Sequence, residues 1–334
     1  MKLKAPVCVL AMVGGVQLPV HANHIQSFGQ SEDCITRGGA CVALAGDFGA
    51  FYHNPAAATD FDTLVVGGNF RFLDTTQVDL IDSAGSQEIS RSNKDGDLIL
   101  APTLGVYKPI SQDLTIGVGL GAPFAITADW GNDEGIHRYN MSEQSLYVLD
   151  LSPSVAYRVN GKLSVGMAAN IVLAKQLRTE SLVPQSFGAA LPPALGGAGT
   201  VIPTTPTSPV IGSITLATDG DFGLGIPPDQ FESAFDSVSF TLGAQYELSD
   251  SLQLGAVYRS KTNLDWEGQL TLDLSPAGLG VQETNFKTKL DGPAHLQVGF
   301  AWKAIPNKLE LSADLQRTFW SDTDGFGKPL VIET

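Results

Sequence analysis

Leu114, Ile116, Val118, Leu120, Ala122, Phe124 and Ile126 take every second position of one unbroken stretch, and Thr115, Gly117, Gly119, Gly121, Pro123 and Ala125 fill the places between. A period of two sends successive side chains to opposite faces of an extended chain, so this is a strand with one oily face and one small-residue face. The pattern recurs. Tyr147, Leu149, Leu151, Pro153, Val155, Tyr157 and Val159 alternate with Val148, Asp150, Ser152, Ser154, Ala156 and Arg158, and Val238 to Leu248 and Leu264 to Leu274 behave likewise. Length is the constraint. Soluble strands average ~5–6 residues, whereas crossing a bilayer takes ~9–11. A soluble β-sandwich, with short and evenly spaced strands, is the weaker alternative.

The connections alternate between tight and long. Tight ones fall at 109–113, at Asn160-Gly161 (a two-residue hairpin signal), at 249–251 and at Pro306-Asn307. Long ones fall at 74–97, 128–145, 175–237 and roughly 275–285. This rhythm fits an outer-membrane β-barrel with short turns on one side and long loops on the other. Strands are expected at 64–73, 98–107, 114–127, 146–159, 162–174, 238–248, 252–274, 286–303 and 309–320, about nine in all. Bacterial barrels close with even numbers, so further strands are expected and the C-terminus reads as truncated.

Composition agrees. Only 16% of residues are charged, with 36 Gly and 19 Pro, and no apolar run reaches the ~18 residues of a transmembrane helix. Lys2 and Lys4, the apolar stretch that follows and the Val20-His21-Ala22 end make residues 1–22 a signal peptide. A net charge of −15 argues against nucleic-acid partners. Cys34 and Cys41 would meet an oxidising compartment; spacing alone leaves open whether they pair.

Several stretches resemble the FadL/TodX outer-membrane transporters of long-chain fatty acids and other hydrophobic compounds. They are RGGACVALAGDFGAFYHNPAA (37–57), LTIGVGLGAPFAITADW (114–130), LDLSPSVAYRVNGKLSVGMAANI (149–171), LGAVYRSKTNLDWEGQL (254–270) and LELSADLQRTFWSD (309–322). The resemblance runs over nearly all of the chain after the signal. It implies an all-β transmembrane antiparallel barrel of about fourteen strands with an N-terminal hatch in the lumen. The domains expected are the signal at 1–22, the hatch at 23–60 and a partial barrel at 61–334 carrying the external loop 175–237.

Site residues follow in three groups. The hatch holds small residues that suit close packing, with Gly38, Gly39, Asp47, Asn54, Pro55 and Ala56 as its marked positions; by resemblance Asn54-Pro55-Ala56 is the family's hatch signature. Gly121, Ala122, Pro123 and Phe124 put proline and glycine inside a strand, which predicts a local break in pairing, and by resemblance a lateral opening in the wall. A chance turn and a harmless bulge are the plain alternatives for these two. Leu182, Val183, Phe187, Leu191 and Leu195 are apolar points of the long loop, which by resemblance forms an external capture groove. Arg71, Arg158 and Arg259 lie in phase with the lumen, where each either meets a substrate carboxylate or pairs with an acid.

No nucleophile motif accompanies His53, His137 or His295, so no enzyme is expected. The acidic turns NKDGD (93–97) and SDTDG (321–325) are weak calcium signals, and neither metal nor cofactor is expected. The expected function is passive uptake of fatty acids or other hydrophobic compounds by a monomer in outer-membrane lipid. The alternatives are a channel for neutral hydrocarbons, a general porin or a structural barrel.

Overall fold

A computed structural model describes residues 29–44, 46–73, 79–82, 89–92, 99–131, 137–139, 141–190, 204–205, 207–218, 237–306, 308–325, 328 and 331–333. Residues 1–22, expected to be a signal peptide, lie outside the described residues. Two short helices, α1 (Glu32–Thr36) and α2 (Ala50–His53), and a 3-10 turn (Pro55–Asp60) precede the first strand. The strands are β1 (Val65–Leu73), β2 (Asp79–Asp82), β3 (Ile89–Ser92), β4 (Ile99–Pro109), β5 (Leu114–Asp129), β6 (Glu143–Arg158), β7 (Leu163–Pro184), β8 (Val210–Thr218), β9 (Val238–Ser249), β10 (Leu252–Arg259), β11 (Asp265–Asp273), β12 (Val281–Lys289), β13 (His295–Ile305), β14 (Leu309–Thr318) and β15 (Ile332–Glu333); α3 (Gln185–Ala190) follows β7.

Thirteen strands join one antiparallel sheet, and β2–β3 pair separately. The sheet has two tiers that share β7. In the lower tier β1, β4, β5, β6, β7, β9, β10, β13 and β14 are neighbours in that order; Leu163–Ile171 of β7 pair with β9. In the upper tier Arg178–Pro184 of β7 pair with β8, which continues to β11, β12 and β15. Among the described residues the outer edges of β1 and β14 pair with no strand, so the sheet is not closed.

The sheet corrects the expected strand plan in three ways. First, 252–274 and 286–303 each divide, into β10 and β11 and into β12 and β13. The breaks lie side by side, bridged by Thr262 and Gly292, because Asp291 accepts from Leu264 N at 3.1 Å and pairs with Lys261 at 2.8 Å, and Pro293 cannot donate to a ladder. Second, 175–237 is not wholly loop: β7 runs on to Pro184 and β8 lies inside it. Third, the Asn160-Gly161 turn is one residue longer than expected. Val159 N bonds Leu163 O, and Asn160 Oδ1 accepts from Lys162 N and Leu163 N at 2.9 and 3.0 Å.

The lower tier turns its oily face outward: Val66, Phe70, Val106, Ile116, Val118, Met167, Leu242, Phe300 and Trp302 are all exposed. Soluble monomers rarely show an apolar band of this extent. On the upper tier β11 and β12 carry outward charged pairs, Asp265–Lys289 and Glu267–Lys287. Among the described residues no helix is long and apolar enough to cross a membrane.

Candidate functional site

Residues 29–44 and 46–60 fill the inner side of the lower tier, bonding to strands from β1 to β14 on that one face. Asn54 explains its own triplet. Its Oδ1 accepts from Ala56 N at 3.1 Å and caps the 3-10 turn, where Pro55 needs no N–H; its Nδ2 donates to Val42 O at 2.7 Å and to Ala244 O on β9 at 3.1 Å. Elsewhere Asp314 of β14 accepts from Cys41 N and Val42 N at 2.8 and 2.9 Å, Gln245 of β9 donates to Ala43 O at 3.1 Å, and Tyr107 of β4 accepts from Phe51 N at 2.8 Å. Asp47 Oδ1 takes Gly49 N at 2.7 Å at the entry to α2, and burial pushes its carboxyl above the usual range. Gly38 and Gly39 have φ of 65° and 88°, the left-handed conformation that lets the chain turn back after α1. Cys34 and Cys41, on either side of that turn, form a disulfide.

The wall meets this segment with glycines. A Cβ at Gly243 would collide with Asn54 Oδ1, at Gly166 with Ala56 N, at Gly255 with Val42 O, and at Gly119 with the Phe51 ring. The small inner face that the sequence displays is therefore a set of sockets for the N-terminal segment. Close backbone approach is what glycine permits and any side chain forbids.

At Gly121 the wall changes. β4 pairs with β5 only from Pro109↔Thr115 to Thr103↔Gly121; above that, β5 pairs with β6 alone. The β5–β6 register shifts by one residue between Gly121 and Phe124, a bulge that turns every following side chain to the other face. Phe124, expected to share the oily outer face with Leu120, is instead buried inside, and Ile126 packs beside it. A second shift at Leu149/Asp150 does the same for β7.

Gln30 occupies this break. It is fully buried; its Nε2 donates to Ala122 O at 2.8 Å, and its Oε1 accepts from Thr103 Oγ1 at 2.9 Å and Arg71 at 3.2 Å. Its backbone N–H donates to His53 Nε2 at 2.9 Å, so the proton sits on His53 Nδ1, 3.4 Å from Cys34 Sγ. Burial, with Arg259 and Arg71 nearby, pushes the imidazole down to about 3, so it is neutral.

Above the break, Phe124, Leu146, Val148, Val172, Leu177, Leu264, Trp266 and Phe286 form one inward apolar cluster. Gly292 leaves the space that the Phe124 ring takes. This cluster was not anticipated, because its members straddle the bulges and so sit on opposite faces of a uniform two-residue pattern. Leu264 and Trp266, read in the sequence as part of an outward oily face, turn inward instead.

The other expected site residues are dispersed. Leu182 and Val183 are buried in β7, paired with Ser213 and Gly212, and Phe187 is exposed on α3; Leu191 and Leu195 lie outside the described residues. Arg158 donates to Thr59 O at 2.7 Å and Asp60 Oδ1 at 3.1 Å, holding the end of the N-terminal segment. Arg71 donates to Gly29 O and to Gln30. Arg259 stacks its guanidinium over Tyr52, 4.2 Å from the ring centre.

An antiparallel wall of long strands, oily outside and occupied inside by its own N-terminal segment, defines a plugged outer-membrane type of β-barrel protein. Residues 29–330 match the family model described as outer membrane protein transport protein (OMPP1/FadL/TodX), and the chain belongs to that family. It is 22% identical over 249 residues to the long-chain fatty acid transport protein of Escherichia coli O6:H1 (strain CFT073), which covers 70% of this chain and 49% of that protein; the chain thus spans about half the length of this curated relative. Among solved structures, a Pseudomonas aeruginosa FadL homologue has a TM-score of 0.64 at 17% identity, covering 92% of this chain and 73% of the other. The Ralstonia pickettii toluene transporter TbuX has a TM-score of 0.59 at 20% identity, covering 89% and 73%. These likenesses establish the fold.

Proposed function

We propose that the protein is a passive uptake channel for long-chain fatty acids or other hydrophobic compounds, acting as a monomer in the outer membrane of a Gram-negative cell. The family is one of transport proteins, and the relatives named above are a fatty acid transport protein and a toluene transporter. The observation that carries the reading is the placement of Gln30 in the β4–β5 break, directly below an inward apolar cluster.

An apolar molecule entering from the outer rim exchanges water for the Trp266 cluster, gaining ~0.8 kcal/mol per CH₂ buried. The N-terminal hatch blocks the way below. Withdrawal of Gln30 frees Ala122 O and opens the break at Gly121–Phe124 toward the membrane, so the molecule leaves sideways into lipid. No step needs a nucleotide, an ion gradient or a covalent intermediate.

The test is uptake of a labelled fatty acid and of labelled toluene by cells carrying Gln30→Ala. Removing the amide takes away three hydrogen bonds worth ~1 kcal/mol each, about 3 kcal/mol in all, so the open form gains about a hundredfold and uptake rises. Unchanged uptake with normal membrane insertion sinks the lateral route. Free passage of sugars through wild-type protein in liposomes favours a general porin instead.

A further inference from the structure

The wall carries a second break besides the one at Gly121. β10 stops at Arg259 and β11 starts at Asp265; beside that gap β12 stops at Lys289 and β13 starts at His295. Thr262 and Gly292 bridge the two gaps with a reciprocal pair of backbone bonds at 3.0 and 2.9 Å. Asp291 fixes the same point, accepting from Leu264 N at 3.1 Å and pairing with Lys261 at 2.8 Å. This break is therefore pinned. The break at Gly121 is held less firmly, since beyond it β5 keeps β6 and has lost β4. A strand paired along one edge opens at lower cost than one held along two.

One side chain joins the two breaks. A Cβ at Gly292 would stand 2.5 Å from Phe124 Cζ and 2.7 Å from Cε2, so the tip of the ring rests on the glycine. The backbone of Gly292 is not left-handed, so its conformation does not demand glycine; the ring does. In the sheet β6, β7, β9 and β10 separate β5 from β13, and β6, β7, β8 and β11 separate it from β12. The contact therefore crosses the inner side of the sheet instead of running along it. Phe124 is buried, and the void beside it, walled by Leu146, Leu264, Leu290, Pro293 and Trp320, holds about 10 Å³. That is room for about one water and not for a methylene chain. Phe124 thus belongs to the apolar cluster and lies two residues beyond Ala122, which Gln30 holds.

We propose that Phe124 is the gate between the apolar cluster and the break at Gly121, with Gly292 as its fixed seat, and that the swing of its ring sets the width of the compounds that pass. This rests on the uptake reading above and adds a specificity-determining residue to it. Withdrawal of Gln30 frees β5 from the hatch; withdrawal of Phe124 frees it from the opposite wall. Narrow molecules pass with a partial swing of the ring, and broad ones need it clear of Gly292.

The experiment measures uptake by cells carrying the full chain, with labelled fatty acid and labelled toluene as narrow compounds and labelled pyrene as the broad one. Wild type favours the narrow compounds. Phe124→Ala raises the ratio of broad to narrow uptake by at least about tenfold. Phe124→Leu raises it by a smaller factor; it keeps an apolar filling and carries the test where the alanine variant inserts poorly. Gly292→Ala puts carbon where the ring tip sits. Cζ is the free end of the side chain, so the ring leaves its seat while the backbone stays, and the ratio rises about threefold. In the Phe124→Ala background Gly292→Ala adds nothing, because the ring it displaces is gone. Loss of packing alone lowers all uptake together and leaves the ratio unmoved. If both Phe124 variants keep the wild-type ratio at normal outer-membrane levels, or if the two effects multiply in the double variant, the gate is wrong and the uptake reading stands. If wild type takes up neither narrow compound faster than cells lacking the protein, the uptake reading itself falls and takes the gate with it.

Discussion

The two halves of the inner wall solve opposite problems with the same strands. Below Gly121, β5 shows glycine inward and the N-terminal segment fills the space; above it, β5 shows Phe124 inward, and among the described residues the cluster includes none of the N-terminal segment. The lower half is held by directional bonds, from Asn54 to Ala244 and from Asp314 to Cys41 and Val42. The upper half is held by contact among oily side chains, which has no preferred direction. A seam of the first kind breaks one bond at a time, whereas a surface of the second kind accepts any apolar shape. That difference separates a hydrogen-bonded N-terminal segment from an apolar inner surface, and one bulge marks the border.

The largest effect belongs to the upper half. Trp266 is fully buried at the centre of the cluster and donates its Nε1–H to Leu290 O at 3.1 Å. Trp266→Ala removes that volume and the bond, and a change of this kind costs about 3–5 kcal/mol. Denaturant unfolding in detergent micelles reads the loss, while protease sensitivity of residues 29–60 stays at the wild-type level. If the plug loosens as well, the two halves are not independent and the comparison fails.

The reverse experiment addresses a socket. Gly243→Val places carbon where Asn54 Oδ1 now sits, and overpacking of this kind costs about 1–3 kcal/mol. The expected outcome is faster proteolysis near Asn54 with wild-type affinity for apolar ligands at the cluster. Ala244→Val, one residue along on the outer face, is the control and leaves proteolysis unchanged.

How far the sequence reveals this division follows from what a period of two encodes. The strand positions of the lower tier and its outward oily face are legible at Ile116, Val118, Val155 and Met167, because each lies on an uninterrupted pleat. The sockets are legible only as a composition, since nothing local says that Gly243 opposes Asn54 from 189 positions earlier in the chain. Phe124 is misread for a physical reason: one extra residue inverts inside and outside, and Gly121–Pro123 signals that a break occurs without saying on which strand the residue is gained. Gln30 carries no local signal at all. Its importance arises from five bonds to four distant segments, α2, β1, β4 and β5. Arg158, by contrast, is a structural cation that sequence phase alone could not tell from Arg259.

The smallest effect tests the joint between the halves through His53. Its neutral imidazole receives Gln30 N–H, and the docked form resists protonation down to about pH 3. A released His53 titrates near its ordinary value of about 6.5 and takes up the proton that the docked form refuses. Docking is therefore fully stable above about pH 6.5 and weakens as pH falls from there toward 3. The loss is about 1.4 kcal/mol per unit, hence about 2 kcal/mol between pH 6.5 and 5. Asp60, whose carboxyl burial pushes up, works in the opposite sense at lower pH, so the comparison is made against His53→Gln, which stays neutral throughout. Proteolysis of the N-terminal segment by an acid-tolerant protease accelerates between pH 6.5 and 5 in wild type and holds level in the variant. Parallel curves for the two proteins would mean that His53 does not set the strength with which Gln30 is held in the break.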